Sequence, residues 1–84
     1  MTSSGYSQTA NEYFDRGLAK YDNKDYSGAI DPFTKAIEIE PNSALAYYSR
    51  GLSKIRFGQK ENGYIDLEKA GDLGYNDAYD AIKK

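Results

Sequence analysis

An all-α fold, an α-solenoid of antiparallel helix pairs with about five helices, is predicted by three observations on this 84-residue chain. The chain matches itself at one offset of thirty-four residues: Ala10, Tyr13, Arg16, Gly17, Leu18 and Lys20 meet Ala44, Tyr47, Arg50, Gly51, Leu52 and Lys54. Apolar residues recur at three-and-four spacing, and no alternating strand pattern competes. A fixed period of this length marks units that bury their apolar faces on one another.

Taken in order, residues 1–8 are expected to form a flexible tail. Thr9-Ala10-Asn11-Glu12 reads as a capping box, hydroxyl and carboxylate each able to satisfy an orphan backbone N–H. Tyr13, Gly17, Lys20 and Tyr21 then keep helical spacing until Asp22-Asn23-Lys24-Asp25 breaks it, with Asp25 placed to cap the next helix. Tyr26, Ala29, Ile30, Phe33, Ala36 and Ile37 form the second stripe, which Glu40-Pro41-Asn42-Ser43 stops. Inside it, Pro32 either kinks a helix that began at Tyr26 or starts the regular part, with Asp31 as cap. Asn42 is a good N-cap for a third helix reaching about Phe57. A fourth runs from near Lys60 to Gly74, a left-handed C′ glycine. Asn76 or Asp77 caps a fifth, through Ile82. The expected organisation is one domain over 9–84: repeat one 10–43, repeat two 44–77, and a capping helix over about 76–84.

Composition narrows the function. Eleven Lys plus Arg against thirteen Asp plus Glu leave a net charge of -2, which argues against a nucleic-acid or anionic-membrane surface. No apolar run approaches the ~18 residues of a membrane span. With no Cys and no His, conventional Ser–His and Cys–His nucleophile pairs and His/Cys zinc sites are excluded. Gly58-Gln59-Lys60-Glu61-Asn62-Gly63 has the glycine spacing of a P-loop, but Tyr64-Ile65 follows where Lys and a hydroxyl are required. Asp22-Asn23-Lys24-Asp25 fails the oxygen spacing of a calcium loop. No enzyme and no cofactor are expected. At roughly 0.05–0.15 kcal/mol per residue, the chain holds about 4–13 kcal/mol.

The repeated residues resemble the tetratricopeptide repeat, whose first helix carries an aromatic residue with Gly four positions on, and whose second carries Ala, an aromatic and Ala before a terminal Pro. Copy one supplies Tyr13, Gly17, Ala29, Phe33, Ala36 and Pro41; copy two supplies Tyr47, Gly51, Gly63, Leu67 and Ala70, with Tyr75 where Pro would fall. Gly17 and Gly51 let the paired backbones approach, while Gly63 and Gly71 weaken the fourth helix by up to ~1 kcal/mol each. Arg16 and Arg50 stand where the family often has Leu, implying exposure or ion pairing.

The resemblance implies a concave face lined by the first helix of each repeat. It assigns Asn11, Phe14, Asp15, Leu18, Tyr21 and Asp22 to that face in copy one, and Leu45, Tyr48, Ser49, Leu52, Ile55 and Arg56 in copy two. Helical geometry agrees, since Phe14, Leu18 and Tyr21, like Tyr48, Leu52 and Ile55, fall at 0, 4 and 7. One subclass of the family grips chaperone C-terminal carboxylates with Lys and Asn; the matching positions here hold Phe14, Leu18 and Ser49, so that clamp is absent. The implied function is a non-enzymatic protein–protein interaction module that binds an apolar or amphipathic peptide. Asp15, Asp22, Ser49 and Arg56 would set ligand polarity. The alternatives are a groove covered by the fifth helix through Tyr79 and Ile82, and a self-assembly unit forming a homo-oligomer. Two repeats leave a flank uncovered, so self-association or a longer parent chain is expected. A cytoplasmic location is the default, and an excised domain of an exported protein would read the same.

Overall fold

Five helices follow one another through short turns in the computed structural model, which describes residues 2–83, with side chains for 9–78 and 80–82. They are α1 (Thr2–Asp22), α2 (Tyr26–Ile39), α3 (Ala44–Arg56), α4 (Lys60–Asp72) and α5 (Asp77–Lys83). Turns this short return the chain on itself, so α1 with α2 and α3 with α4 form antiparallel hairpins, and α2 packs on α3. Helices account for the all-α class, and no strand occurs among the described residues. Among those residues no helix is long and apolar enough to cross a membrane.

The helix ends repeat as faithfully as the sequence does. At the end of α1 the Asp25 N–H donates to the Lys20 carbonyl at 2.8 Å and the Lys24 N–H to that of Tyr21 at 2.8 Å. At the end of α3 the Gln59 N–H reaches Lys54 at 2.7 Å and the Gly58 N–H reaches Ile55 at 3.0 Å. Tyr75 and Gly74 close α4 in the same way on Ala70 and Gly71. This paired bonding requires a left-handed residue just past the helix. Gly58 (φ 100°) and Gly74 (φ 111°) adopt it freely, whereas Lys24 (φ 65°) does so with a side chain.

Helix starts correct two expectations and decide the alternative left open at Pro32. The Thr9–Glu12 capping box lies inside α1, which begins at Thr2, so the segment read as a tail is helical from there on. Extending an existing helix adds one hydrogen bond per residue fixed, and no proline in 2–8 stops it. Asp25 caps α2, its Oδ1 accepting from the Gly28 N–H at 3.1 Å, so Pro32 is an interior residue and Asp31 no cap. Ser43 rather than Asn42 caps α3, accepting from the Ala46 N–H at 3.3 Å. The side chains of Tyr79, Lys83 and Lys84 lie outside the described residues.

Each hairpin closes over a small buried core. In the first, Phe33 is wholly buried, Ala29, Ala36 and Ile37 are buried on the same helix, and a Cβ at Gly17 would stand 2.5 Å from the Phe33 ring. In the second, Leu67, Ala70 and Ala78 form the centre, with Tyr47, Leu52, Ile55, Tyr75 and Ile82 around them. Gly63, which appears from propensity alone to weaken α4, has a packing reason. A methyl there would stand 2.6 Å from the Gly51 carbonyl oxygen and 2.5 Å from Ile55 Cγ1.

Arg50 of α3 joins its own hairpin to the first one. Its Nε donates to Asp66 Oδ2 at 2.7 Å and its Nη2 to Oδ1 at 2.8 Å, while Nη1 reaches back to Thr34 Oγ1 on α2 at 3.1 Å. Lys54 adds an ion pair to Asp66 Oδ2 at 3.0 Å. The Asp66 hydrogen bond is the main reason the Arg50 guanidinium holds its proton more firmly than usual. One side chain thereby ties three helices together.

Candidate functional site

First helices α1 and α3 lie side by side, and the space between them is a cleft of about 290 Å³. Phe14, Leu18, Tyr21 and Asp22 line it from α1, and Leu45, Tyr48, Ser49 and Leu52 from α3. Its walls are held by aromatic contacts behind them. Phe14 tilts against the buried Phe33 at 5.5 Å between ring centroids, Tyr21 stands edge-on to Tyr26 at 5.2 Å, and Tyr48 edge-on to Tyr75 at 4.7 Å. Leu18 and Leu45 are left 37% and 45% exposed, apolar surface that the fold itself does not use. No described α5 residue lines this cleft, and the side chain of Tyr79, one of the two expected to cover it, lies outside the described residues.

Eight of the twelve residues assigned to the concave face therefore come together in this cleft, and four do not: Asn11, Asp15, Ile55 and Arg56, of which Asn11 lines a smaller cleft with Ala10 and Glu40. Asp15 is exposed outside the cleft. Ile55 turns inward and joins the residues around Leu67. Arg56 stands further along α3, its Nε donating to the Tyr21 hydroxyl at 2.7 Å and its guanidinium lying 5.9 Å from that ring's centre. That hydrogen bond raises the Arg56 pKa further above its ordinary value.

A second cleft of about 500 Å³ continues the first, sharing Tyr48 and Leu52 and adding Arg56, Asp77, Asp80 and Ala81. Its α5 side was not expected to line the groove. The signal was present in the repeat, where Asn42 and Ala44 match Asn76 and Ala78, so that α5 stands at the place of a third first helix. Tyr48 sits at the junction. Burial first, then the neighbouring Tyr75 and Asp77, push its phenol pKa above the ordinary 10.0. Among the described residues no three potential metal ligands cluster.

Stacked helical hairpins with an apolar face along their first helices define a helical-repeat module for protein–protein interaction. The chain belongs to the tetratricopeptide repeat family, whose pattern it matches over residues 10–54. It is 33% identical over 66 residues to Protein STIP1 homolog of Dictyostelium discoideum, covering 79% of this chain and 12% of that protein. It is 39% identical over 67 residues to Tetratricopeptide repeat protein 36 homolog of Nematostella vectensis, covering 79% of this chain and 36% of the relative. Against Heat shock protein STI1 of Saccharomyces cerevisiae the identity is 37% over 79 residues, 92% of this chain and 11% of that protein. The chain thus spans well under half the length of these relatives.

Proposed function

We propose that the chain is a non-enzymatic module that binds an apolar or amphipathic peptide segment in the trough along α1 and α3. The observation that carries this reading is the open cleft whose leucines the fold leaves exposed, backed by rings that the core already holds in place. Preformed walls reduce the ordering that binding would otherwise require. Leu18, Leu45, Tyr48 and Leu52 would anchor the segment, and Asp22 and Ser49 would orient it. Asp15 and Ile55 have no direct part in this reading. We also place the module in the cytoplasm, which imaging of the tagged protein would check.

A second reading, self-assembly, is favoured by the exposure of Phe57, Tyr64 and Ile65 on the second hairpin. One experiment separates the two. Peptides selected by display on the folded chain are titrated against Leu18→Glu and Leu45→Glu, sites exposed enough to leave folding intact. Each variant should weaken binding by about 1–3 kcal/mol, as loss of an interface anchor does. Equal binding by both variants defeats the groove reading. Sedimentation showing a dimer that needs Phe57 and Ile65 favours self-assembly instead.

A further inference from the structure

The two clefts form one trough through their shared Tyr48 and Leu52, and its described lining is mainly acidic. Asp22 lies at the α1 end, Asp77 and Asp80 at the α5 end, and all three carboxylates are exposed. None of them forms an ion pair among the described residues. Among the described residues Lys20 pairs with Asp25, and Arg50 and Lys54 with Asp66, while Arg56 lines the trough and keeps its charge as it donates to the Tyr21 hydroxyl. The described lining thus sets three carboxylates against one guanidinium, a net negative field that walls of low dielectric focus on whatever enters.

We infer that the trough takes a segment with an apolar centre flanked by lysine or arginine. The apolar residues seat between α1 and α3, and a basic side chain lies against Asp77 and Asp80. This rests on the peptide-binding reading above and adds the chemistry of the peptide. An acidic segment would meet like charge at both ends, with Arg56 as the one described cation lining the trough, already bonded. A second copy of this chain is disfavoured as occupant for the same reason. A two-fold contact through the trough would bring Asp22, Asp77 and Asp80 towards their own images.

The test uses the full chain and three fluorescent peptides of about ten residues, long enough in extended form to follow the trough. All share a Leu-Leu-Phe centre; the flanks are Lys, Glu or Ser. The expected order is Lys, then Ser, then Glu, with the Lys-flanked peptide about tenfold or more tighter than the Glu-flanked one at low salt. That ratio should shrink several-fold near 1 M salt, where screening acts over only about 3 Å. Asp77→Asn with Asp80→Asn should bring the ratio to about threefold or less and leave the Ser-flanked peptide unchanged. Melting of the double variant checks that it folds. Equal or tighter binding of the Glu-flanked peptide, or a ratio unmoved by the double variant, overturns the charge assignment while the groove reading survives. Failure of all three peptides to bind, or binding unmoved by Leu18→Glu, defeats the groove reading and this inference with it. A concentration-dependent dimer that excludes the peptides assigns the trough to a second copy and overturns the inference as well.

Discussion

Arg50 grips Asp66 with two parallel hydrogen bonds, 2.7 and 2.8 Å long, across the α3–α4 hairpin. The side chains are 16% and 5% exposed, so both charges have left most of their water. Such a pair adds little relative to a well-packed apolar substitute, but removing one partner strands the other. Arg50→Ala should therefore destabilise the chain by about 3 kcal/mol, at the low end for a buried pair because Lys54 still faces Asp66. Arg50→Met with Asp66→Leu should come within about 1 kcal/mol of the original. Urea unfolding followed by circular dichroism measures both. A loss under 1 kcal/mol for the single variant would show that Lys54 alone suffices.

Repeat one holds the same position open. Arg16, Lys20 and Pro32 match Arg50, Lys54 and Asp66, and Arg16 already lies over Tyr13 at 5.5 Å as Arg50 lies over Tyr47 at 5.4 Å. Pro32→Asp should build the missing acceptor and remove an interior proline that disfavours a helix by about 3 kcal/mol. Against this stand the buried ring and the looser unfolded chain, the latter about 0.4–1 kcal/mol. The net expectation is a gain of about 1–2 kcal/mol, near 5–10 °C in melting temperature. Pro32→Ala isolates the helix effect, and Pro32→Asp in an Arg16→Ala background should lose the excess over it. A fall in melting temperature for Pro32→Asp would mean that packing of the ring outweighs both gains.

Lys24 carries the strain that Gly58 avoids at the matching turn. Its φ of 65° is unfavourable for a residue with a Cβ, and glycine removes that penalty while keeping both turn hydrogen bonds. Lys24→Gly should stabilise the chain by about 0.5–1 kcal/mol, the left-handed gain less the entropy of a freer unfolded chain. Gly58→Lys should lose a similar amount. Thermal melts of the two variants, moving in opposite directions, check the argument.

The matched residues explain why most of the fold was legible. Ala10, Gly17, Ala29, Phe33, Leu67 and Ala70 are small or large in the pattern that packed hairpins need, and they are where the spacing puts them. What escaped were choices made by three-dimensional fit. Tyr21 and Ile55 occupy the same repeat position, yet only Tyr21 faces the cleft. Opposite Ile55 stands Gly63, which leaves room for its side chain to turn in, while repeat one has Ala29 at the position matching Gly63 and the Tyr21 ring is held edge-on to Tyr26. Asn42 and Ser43 have equal capping chemistry, and only the backbone decides between them. The start of α1 was missed because a local capping signature says nothing about whether the helix already exists upstream. The acidic α5 end of the trough was missed because α5 shares too few of the repeated residues.

Tyr48 gives the chain an alkaline limit that can be read in its stability. Its phenol is harder to ionise folded than free, chiefly because of burial, with Tyr75 and Asp77 adding to the effect. A folded-state pKa above the unfolded 10.0 means that the folded chain keeps a proton which the unfolded chain has released. The stabilisation is thus fully present below pH 10.0 and is lost as pH rises through the higher folded value. Tyr48→Phe keeps the ring against Tyr75 and removes the titration. Melting temperatures of both proteins are recorded from about pH 9 to 11. The curve of the original chain should fall relative to that of Tyr48→Phe as pH rises, and the two curves should run parallel below about pH 9. Parallel curves across the whole range would show that the Tyr48 hydroxyl is solvated in the folded chain and that the ring alone makes the contact with Tyr75.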